Sequence, residues 1–186
     1  RNIWPLSFEG PGTYPAGRRQ GRPVVKIVFF SDVHITRRSV DRIALTLRFI
    51  ADYCDDADMV VVLGDLFDFY HGYNGYIYPW YRPVADGLRS LVQRGKQVFF
   101  LEGNHEFSMG TYFEDYTGVT CVKELALDID GKKVFVTHGD GFASFSLARL
   151  LKRPFFYRIM DLLGPAATWG AVTLVSPFLS RRKKGY

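Results

Sequence analysis

Apolar positions in this chain fall into short unbroken runs, and four of these runs stop at polar clusters of one kind. VVKIVFF ends at Ser31-Asp32-Val33-His34, and MVVVLG ends at Asp65. QVFFLEG gives way to Asn104-His105-Glu106, and KVFVT gives way to His138-Gly139-Asp140. Runs of this length, bounded by turn residues, predict strands buried on both faces of a sheet. Between them, Ile43, Leu47 and Ile50 recur at helical spacing and predict a helix over about 39–54. A second helix is expected from Pro83 to about Gln93, with Pro suited to the first turn. A shorter helical piece is expected at about 108–116, followed by β-like segments at 119–129 and 132–137. Asp130-Gly131 between these last two is a hairpin signal. From Phe142 to about Ser180 the pattern turns helical, with breaks expected at Gly164-Pro165 and Ser176-Pro177.

In open α/β sheets, ligands bind in the crevice beyond the carboxyl ends of the strands. If these strands are parallel neighbours, or meet across two packed sheets, their polar loops converge there. Asp32, His34, Asp65, Asn104 and His138 would then share one cleft, with His105 beside them. Asp32 and His34 are expected on one side of a short extended loop, since residues i and i+2 point the same way.

Each cluster alone has a plainer explanation. Asp-x-His is common, and Gly-Asp is ordinary turn chemistry. Asn104-His105 could cap a helix, and His138 could be a core histidine satisfied by main chain. Their conjunction is what favours metal: three of the four histidines and the key acids all follow strands directly. The fourth histidine, His71, falls in an aromatic stretch (Tyr70, Tyr73, Tyr76, Tyr78, Trp80, Tyr81), where a surface or packing role is expected.

This donor set suits phosphate hydrolysis, which needs an activated water and charge compensation on phosphoryl oxygens. Two divalent cations supply both. Asp65, with two carboxylate oxygens, is suited to bridge them. Asp32 and His34 would hold one ion, and Asn104 and His138 the other. A neutral Asn is reasonable there, because a further carboxylate would cancel the attraction for an anionic substrate. His105 is then free to serve the leaving oxygen as the catalytic acid. Mixed nitrogen and oxygen donors favour Mn²⁺, with Fe or Zn²⁺ as alternatives, over Ca²⁺ or Mg²⁺.

Composition allows this fold. The 186 residues are 47% hydrophobic, enough for a substantial core. Cys54 and Cys121 form no spaced metal pair and are expected to be reduced packing residues. Residues 1–23 are rich in Pro, Gly and Arg and read as a mobile leader without a signal-peptide core. The sequence begins at Arg1, as a processed form or a piece of a longer chain would. Charge is uneven: residues 142–186 hold eight basic residues and one acid, Asp161, whereas the total is only +5. Apolar bulk interleaved with these cations suits an anionic membrane surface better than a nucleic acid, and no nucleic-acid partner is expected. The uncharged run 164–179 is too short and too interrupted to span a bilayer.

At SDVH, GD, GNHE and HGD, in that order, the chain resembles the calcineurin-like metallophosphoesterase family over about residues 24–141. The resemblance implies a four-layer α/β/β/α sandwich with a dinuclear centre. It also implies Asp32, His34, Asp65, Asn104 and His138 as ligands and His105 as the catalytic histidine. The family's closing Gly-His-x-His motif is absent here; no His follows His138, and the strands that complete the second sheet are expected to be missing. Within the family, GDLFDF followed by HGD and a basic helical insertion is similar to the UDP-2,3-diacylglucosamine pyrophosphohydrolases of lipid A synthesis. Their best-known branch has Arg where His105 stands here.

That likeness implies a nucleotide diphosphate-linked lipid as substrate and a cytoplasmic enzyme peripheral to the inner face of a membrane. Residues 142–186 would be the lid or membrane contact, with Asp140, Phe155 and Phe156 touching substrate. The alternatives are a helical pair that only covers the core, a soluble phosphodiesterase for nucleotides or phosphoproteins, and a scaffold with an incomplete site.

Overall fold

The computed structural model of the protein describes residues 14–15, 25–129, 131–139 and 153–180. Its centre is a parallel sheet of four strands: β2 (Ile27–Phe30), β3 (Met59–Val62), β5 (Gln97–Leu101) and β7 (Thr120–Val122), in the order β2-β3-β5-β7. Phe30 pairs with Val62, Val62 with Phe100, and Phe100 with Cys121. The strands therefore finish nearly level, and the segments that follow them leave from one edge.

The central strands β3 and β5 are covered on both faces, which is why their buried residues are apolar without alternation. Val60, Val62, Val98 and Phe100 face Ile50, Leu88, Leu91 and Phe113 of the helical layer. The alternate residues Met59, Val61, Phe99 and Leu101 face Leu125, Leu127 and Val136 of a second sheet. All four β3 residues are at most 1% exposed. Each such side chain contributes about 1.5–3 kcal/mol on burial, so β3 anchors the domain.

The helical layer consists of α1 (Val40–Tyr53), α2 (Arg82–Gln93) and α3 (Gly110–Thr117). Pro83 occupies the first turn of α2, as expected. A Cβ on Gly87 would lie 3.1 Å from Leu47, so glycine lets α2 approach α1 closely. The second sheet pairs β8 (Glu124–Ile129) antiparallel to β9 (Lys132–Thr137), with Gly131 at φ 78° in the turn between them. Within the stretch read as a leader, Tyr14–Pro15 form β1, parallel to β8 at Leu127 and Asp128. The rest of that stretch lies outside the described residues. A further pair, β4 (Tyr70–His71) and β6 (Glu106–Ser108), lies beyond the ends of the main strands. Helices, parallel sheet and second sheet make the expected α/β sandwich; its outermost layer is not represented among the described residues.

The last element, α4 (Pro154–Ser180), bends at Gly164, whose φ of 73° is non-helical. The break expected at Ser176-Pro177 does not occur; the helix continues to Ser180, and Gly164 alone interrupts it. The expected helical segment from 142 to 152 lies outside the described residues.

α4 sits on the aromatic stretch, which is buried rather than a solvated loop: Tyr70 and Tyr81 are fully buried and Tyr78 nearly so. The Trp169 ring lies 4.6 Å from Trp80 and 5.3 Å from Tyr78. Burial pushes the Tyr70, Tyr78 and Tyr81 phenols up, keeping them neutral. His71 is 3% exposed and meets Asp161 Oδ1 at 2.8 Å, which makes its role packing. Tyr78 donates its hydroxyl to the Pro165 carbonyl at 3.3 Å. On its other side α4 exposes Phe155, Leu162, Leu163 and Leu174, Leu162 being 89% accessible. Among the described residues no helix is long and apolar enough to cross a membrane. Both cysteines are free, and burial pushes the Cys54 thiol up to about 11.

Trp169 is the main aromatic anchor of α4. Trp169→Ala is expected to cost about 2 kcal/mol, the lower side of large-to-small losses because the site is only half-buried. Amide exchange over α4 should accelerate while β3 and β5 stay protected. Uniform acceleration across both would show that α4 does not unfold as a separate unit.

Candidate metal centre

The turns after β2 and β3 run side by side. Asp32 N–H donates to Gly64 O at 3.2 Å, His34 N–H to Asp65 O at 3.0 Å, and Ile35 N–H to Leu66 O at 2.9 Å. Arg42, one turn into α1, donates to the carbonyls of Val33 (3.1 Å) and His34 (2.9 Å), fixing the first turn from outside. Asp32, His34 and Asp65 all have positive φ, at 58°, 50° and 53°. Asp32 and His34 do converge, but through two left-handed residues and not through the extended loop expected from the sequence. A left-handed L-residue costs roughly 1–2 kcal/mol, less for Asp. Such strain concentrates where side-chain direction matters more than backbone comfort.

Two glycines let the turns meet. A Cβ on Gly64 would lie 2.6 Å from Gly103 Cα, and one on Gly103 would lie 2.3 Å from Asp65 Oδ1. Into this crossing the chain inserts Asp65, 3% exposed. Its Oδ1 accepts the His105 N–H at 2.9 Å and its Oδ2 accepts the Asn104 side-chain amide at 2.8 Å. Burial alone would push this carboxyl up, but those two donors, with His105 and His138 nearby, hold it below the usual range. Asp65 is therefore an anion. With its amide nitrogen committed to Asp65, Asn104 offers its carbonyl oxygen as a donor atom.

The histidines converge on the same carboxylate. His138 Nε2 is 3.4 Å from Asp65 Oδ2, and His34 Nε2 is 3.8 Å from it and 3.9 Å from Asp32 Oδ1. His138 Nδ1 lies 2.7 Å from the Leu63 carbonyl, and His105 Nδ1 lies 2.6 Å from the Asp68 carbonyl. A carbonyl only accepts, so each Nδ1 carries a proton, and Nε2 is the ring atom left to meet the site. In His138 that nitrogen faces a carboxylate oxygen. Imidazole nitrogens, carboxylates and an amide oxygen turned toward one another are the donors a divalent ion takes, so the donor set fits a metal ion. Donors from His34, Asp65 and His105 lie within 4.8 Å of one another. The ring of His105 packs edge-on to His34, with centroids 4.6 Å apart. His105 thus stands closer to the cluster than a residue merely beside it.

All six residues singled out in the strand-end motifs meet here: Asp32, His34, Asp65, Asn104, His105 and His138. Asp32 and His34 lie towards solvent, with side chains 63% and 30% exposed, whereas His138 is 12% exposed. Asp140 lies outside the described residues. Phe155 and Phe156 are on α4, stacked edge to face at 5.6 Å, Phe155 being 66% exposed.

Sequence reasoning did not assign Glu106, which is fully buried. It accepts N–H groups from Asp65 (2.8 Å), Phe67 (3.0 Å) and Gly103 (3.0 Å). Burial pushes its carboxyl up to about 7 against the pull of these donors. The only signal for it was the fourth letter of GNHE, and a lone acid after Asn-His does not reveal whether it faces solvent or main chain.

A sandwich of this order, with acids and histidines at the carboxyl edge of its parallel sheet, defines a metal-dependent hydrolase architecture. The sequence matches the calcineurin-like phosphoesterase family over residues 25–171, and the chain belongs to that family. It is similar to proteins named UDP-2,3-diacylglucosamine hydrolase. The identity is 33% over 121 residues with that of Aeromonas salmonicida, covering 64% of this chain and 47% of the relative. It is 34% over 114 residues with that of Aeromonas hydrophila, covering 61% and 47%. It is 35% over 114 residues with that of Salmonella arizonae, again covering 61% and 47%. The chain spans about half the length of the curated relatives it matches.

The crossing at Gly103 leaves no space for a methyl group. Gly103→Ala is expected to destabilise the metal-free protein by about 1–3 kcal/mol through overpacking, and to weaken Mn²⁺ binding by displacing Asp65. A thermal melt beside an Mn²⁺ titration checks this. Unchanged values in both would mean that the turns separate freely.

Proposed function

We propose that the protein is a metal-dependent phosphoesterase that hydrolyses a phosphoester or pyrophosphate bond through a dinuclear centre. The observation that carries this reading is the convergence of Asp65 Oδ2 with the Nε2 atoms of His34 and His138, in a chain of the calcineurin-like family. Asp32, His34, Asp65, Asn104 and His138 would hold the ions, Asp65 being the carboxylate both could share, with Asp32 and His34 serving one and Asn104 and His138 the other. Mn²⁺ is the expected metal, with Fe or Zn²⁺ also compatible with the donors. Bound there, two divalent cations would supply an acidified water and offset the charge on the phosphoryl oxygens.

The chain's own groups supply the rest. His138 and His105 are oriented by the Leu63 and Asp68 carbonyls, which fix their tautomers. His105, 36% exposed at its side chain, donates a proton from Nε2 to the leaving oxygen. For this it must first take up a proton, so it works as an acid only in the imidazolium form.

The substrate we propose is a nucleotide diphosphate-linked lipid such as UDP-2,3-diacylglucosamine, supported by the name that the similar proteins carry. The exposed apolar side of α4, with Phe155, Leu162, Leu163 and Leu174, supports acyl-chain or membrane contact. Arg158 on the same helix and Arg153 just before it, within a segment of +7, support an anionic surface on the inner face of a membrane.

Two variants of the full-length protein separate the roles at the centre. Asp65→Ala should lower Mn²⁺-dependent hydrolysis of bis(p-nitrophenyl) phosphate to background. His105→Ala should keep its bound metal while turnover falls by roughly 10²–10⁴. Activity near wild type in Asp65→Ala would overturn the centre. Loss of one ion per chain in His105→Ala would move that ring into the ligand set.

Membrane contact has its own check. Sedimentation with anionic vesicles should weaken with salt without vanishing, and the double variant Phe155→Asp, Phe156→Asp should lose the salt-resistant part. Absence of vesicle binding at low salt would leave α4 as a cover for the core.

A further inference from the structure

Resting on that reading of the centre, we propose that Glu106 is its positioning residue: its buried carboxylate sets the spacing of the metal donors by clamping the Asp65 turn to the Asn104-His105 turn. The hydrogen bonds of Glu106 run to main chain and not to the donor atoms of the proposed ligands. Its Oε2 accepts the Asp65 N–H at 2.8 Å and the Gly103 N–H at 3.0 Å, and its Oε1 accepts the Phe67 N–H at 3.0 Å. These donors flank the ligands on both turns. Asp65 returns the contact, accepting the His105 N–H on Oδ1 and the Asn104 amide on Oδ2. Two acids thus cross-brace the turns, each accepting from the other's segment, in the reciprocal manner of a helix capping box.

The chemistry requires a carboxylate. The left-handed residues at 64 and 65 turn main-chain N–H groups away from any strand partner, and buried N–H groups need acceptors. Three donors converge on one side chain, and an ionised carboxylate is all acceptor. A glutamine of equal volume would serve the Asp65 and Gly103 N–H groups with its single oxygen. Its amide nitrogen would then oppose the Phe67 N–H. Glu106 is itself fixed at the backbone, since it pairs with Tyr70 between β4 and β6. The clamp is therefore held at both ends before any ion arrives.

A buried acid that only stabilises the fold would lower the melting temperature without changing how the donors meet a metal. Co²⁺ titration of the metal-free full-length protein separates the two, because the visible spectrum of bound Co²⁺ reports coordination geometry. Wild type, Glu106→Gln, Glu106→Ala and the core variant Leu88→Ala should be compared, with far-UV circular dichroism to establish folding. Leu88→Ala should melt lower yet bind Co²⁺ with wild-type affinity and spectrum. Glu106→Gln should be folded and bind about 10–100-fold more weakly with an altered spectrum, as for groups that orient metal ligands. Glu106→Ala should be weaker still, so that Gln partly rescues Ala.

Wild-type Co²⁺ affinity and spectrum in either folded Glu106 variant would overturn the proposal. If both variants were unfolded, the carboxylate would be a requirement of the fold and the proposal would fall. Absence of Co²⁺ binding by the wild type would instead overturn the metal-centre reading itself.

Discussion

The structure depends on satisfying main-chain donors where two turns cross at the carboxyl edge of the parallel sheet. The strands end level; the segment leaving β3 turns through left-handed Gly64 and Asp65, and main-chain N–H groups of it and of the segment leaving β5 point inward. Leaving one such group buried without a partner costs about 1–3 kcal/mol. Each hydrogen bond that satisfies one contributes roughly 0.5–1.5 kcal/mol net, more where the acceptor is charged. Asp65 and Glu106 take four of these inward main-chain N–H groups, from residues 65, 67, 103 and 105. That comfortably outweighs the strain at Asp65. The same arrangement explains the glycines at 64 and 103, since any Cβ there would occupy the space of the opposite turn.

The crossing is also tied to the far side of the molecule. Residues 104–108 pass from the centre into β6, which pairs with β4 at Tyr70 and His71. Tyr70 N–H donates to the His105 carbonyl at 3.0 Å, and His71 meets Asp161 of α4. Arg37, just past His34, lies over the Trp80 ring at 5.4 Å, and Trp80 packs at a tilt against Trp169. The aromatic stretch is therefore a shared wall, with the centre's turns on one side and α4 on the other.

Much of this was legible from hydrophobic runs alone. VVKIVFF, MVVVLG and QVFFLEG read as strands because burial on both faces leaves their middles apolar without alternation, and the acids and histidines after them stood out by contrast. The conformation of the turns was not legible. Asp32-Val33-His34 reads as extended chain, and only the pairing with Gly64 and Asp65 forces its left-handed residues. Glu106 was hidden for a similar reason, because its partners are main-chain groups up to 41 positions away in sequence and main chain carries no letter. Ser176-Pro177 misled in the other direction. Local sequence argued for a stop, yet a proline removes only one backbone donor and the helix passes through it.

Asp161 is the single acid among residues 142–186, and it is spent on a buried histidine. A helix held to a wall of rings by apolar contact alone can roll about its axis, since one greasy face substitutes for another at little cost. A 2.8 Å hydrogen bond does not tolerate rolling. The pin at Asp161 thus fixes the rotational phase of the first half of α4, and with it which side chains turn outward. Leu162 and Leu163 follow Asp161 directly, so they face away from the wall because of where the pin sits. The outward display of this helix is set by one carboxylate on its inner side.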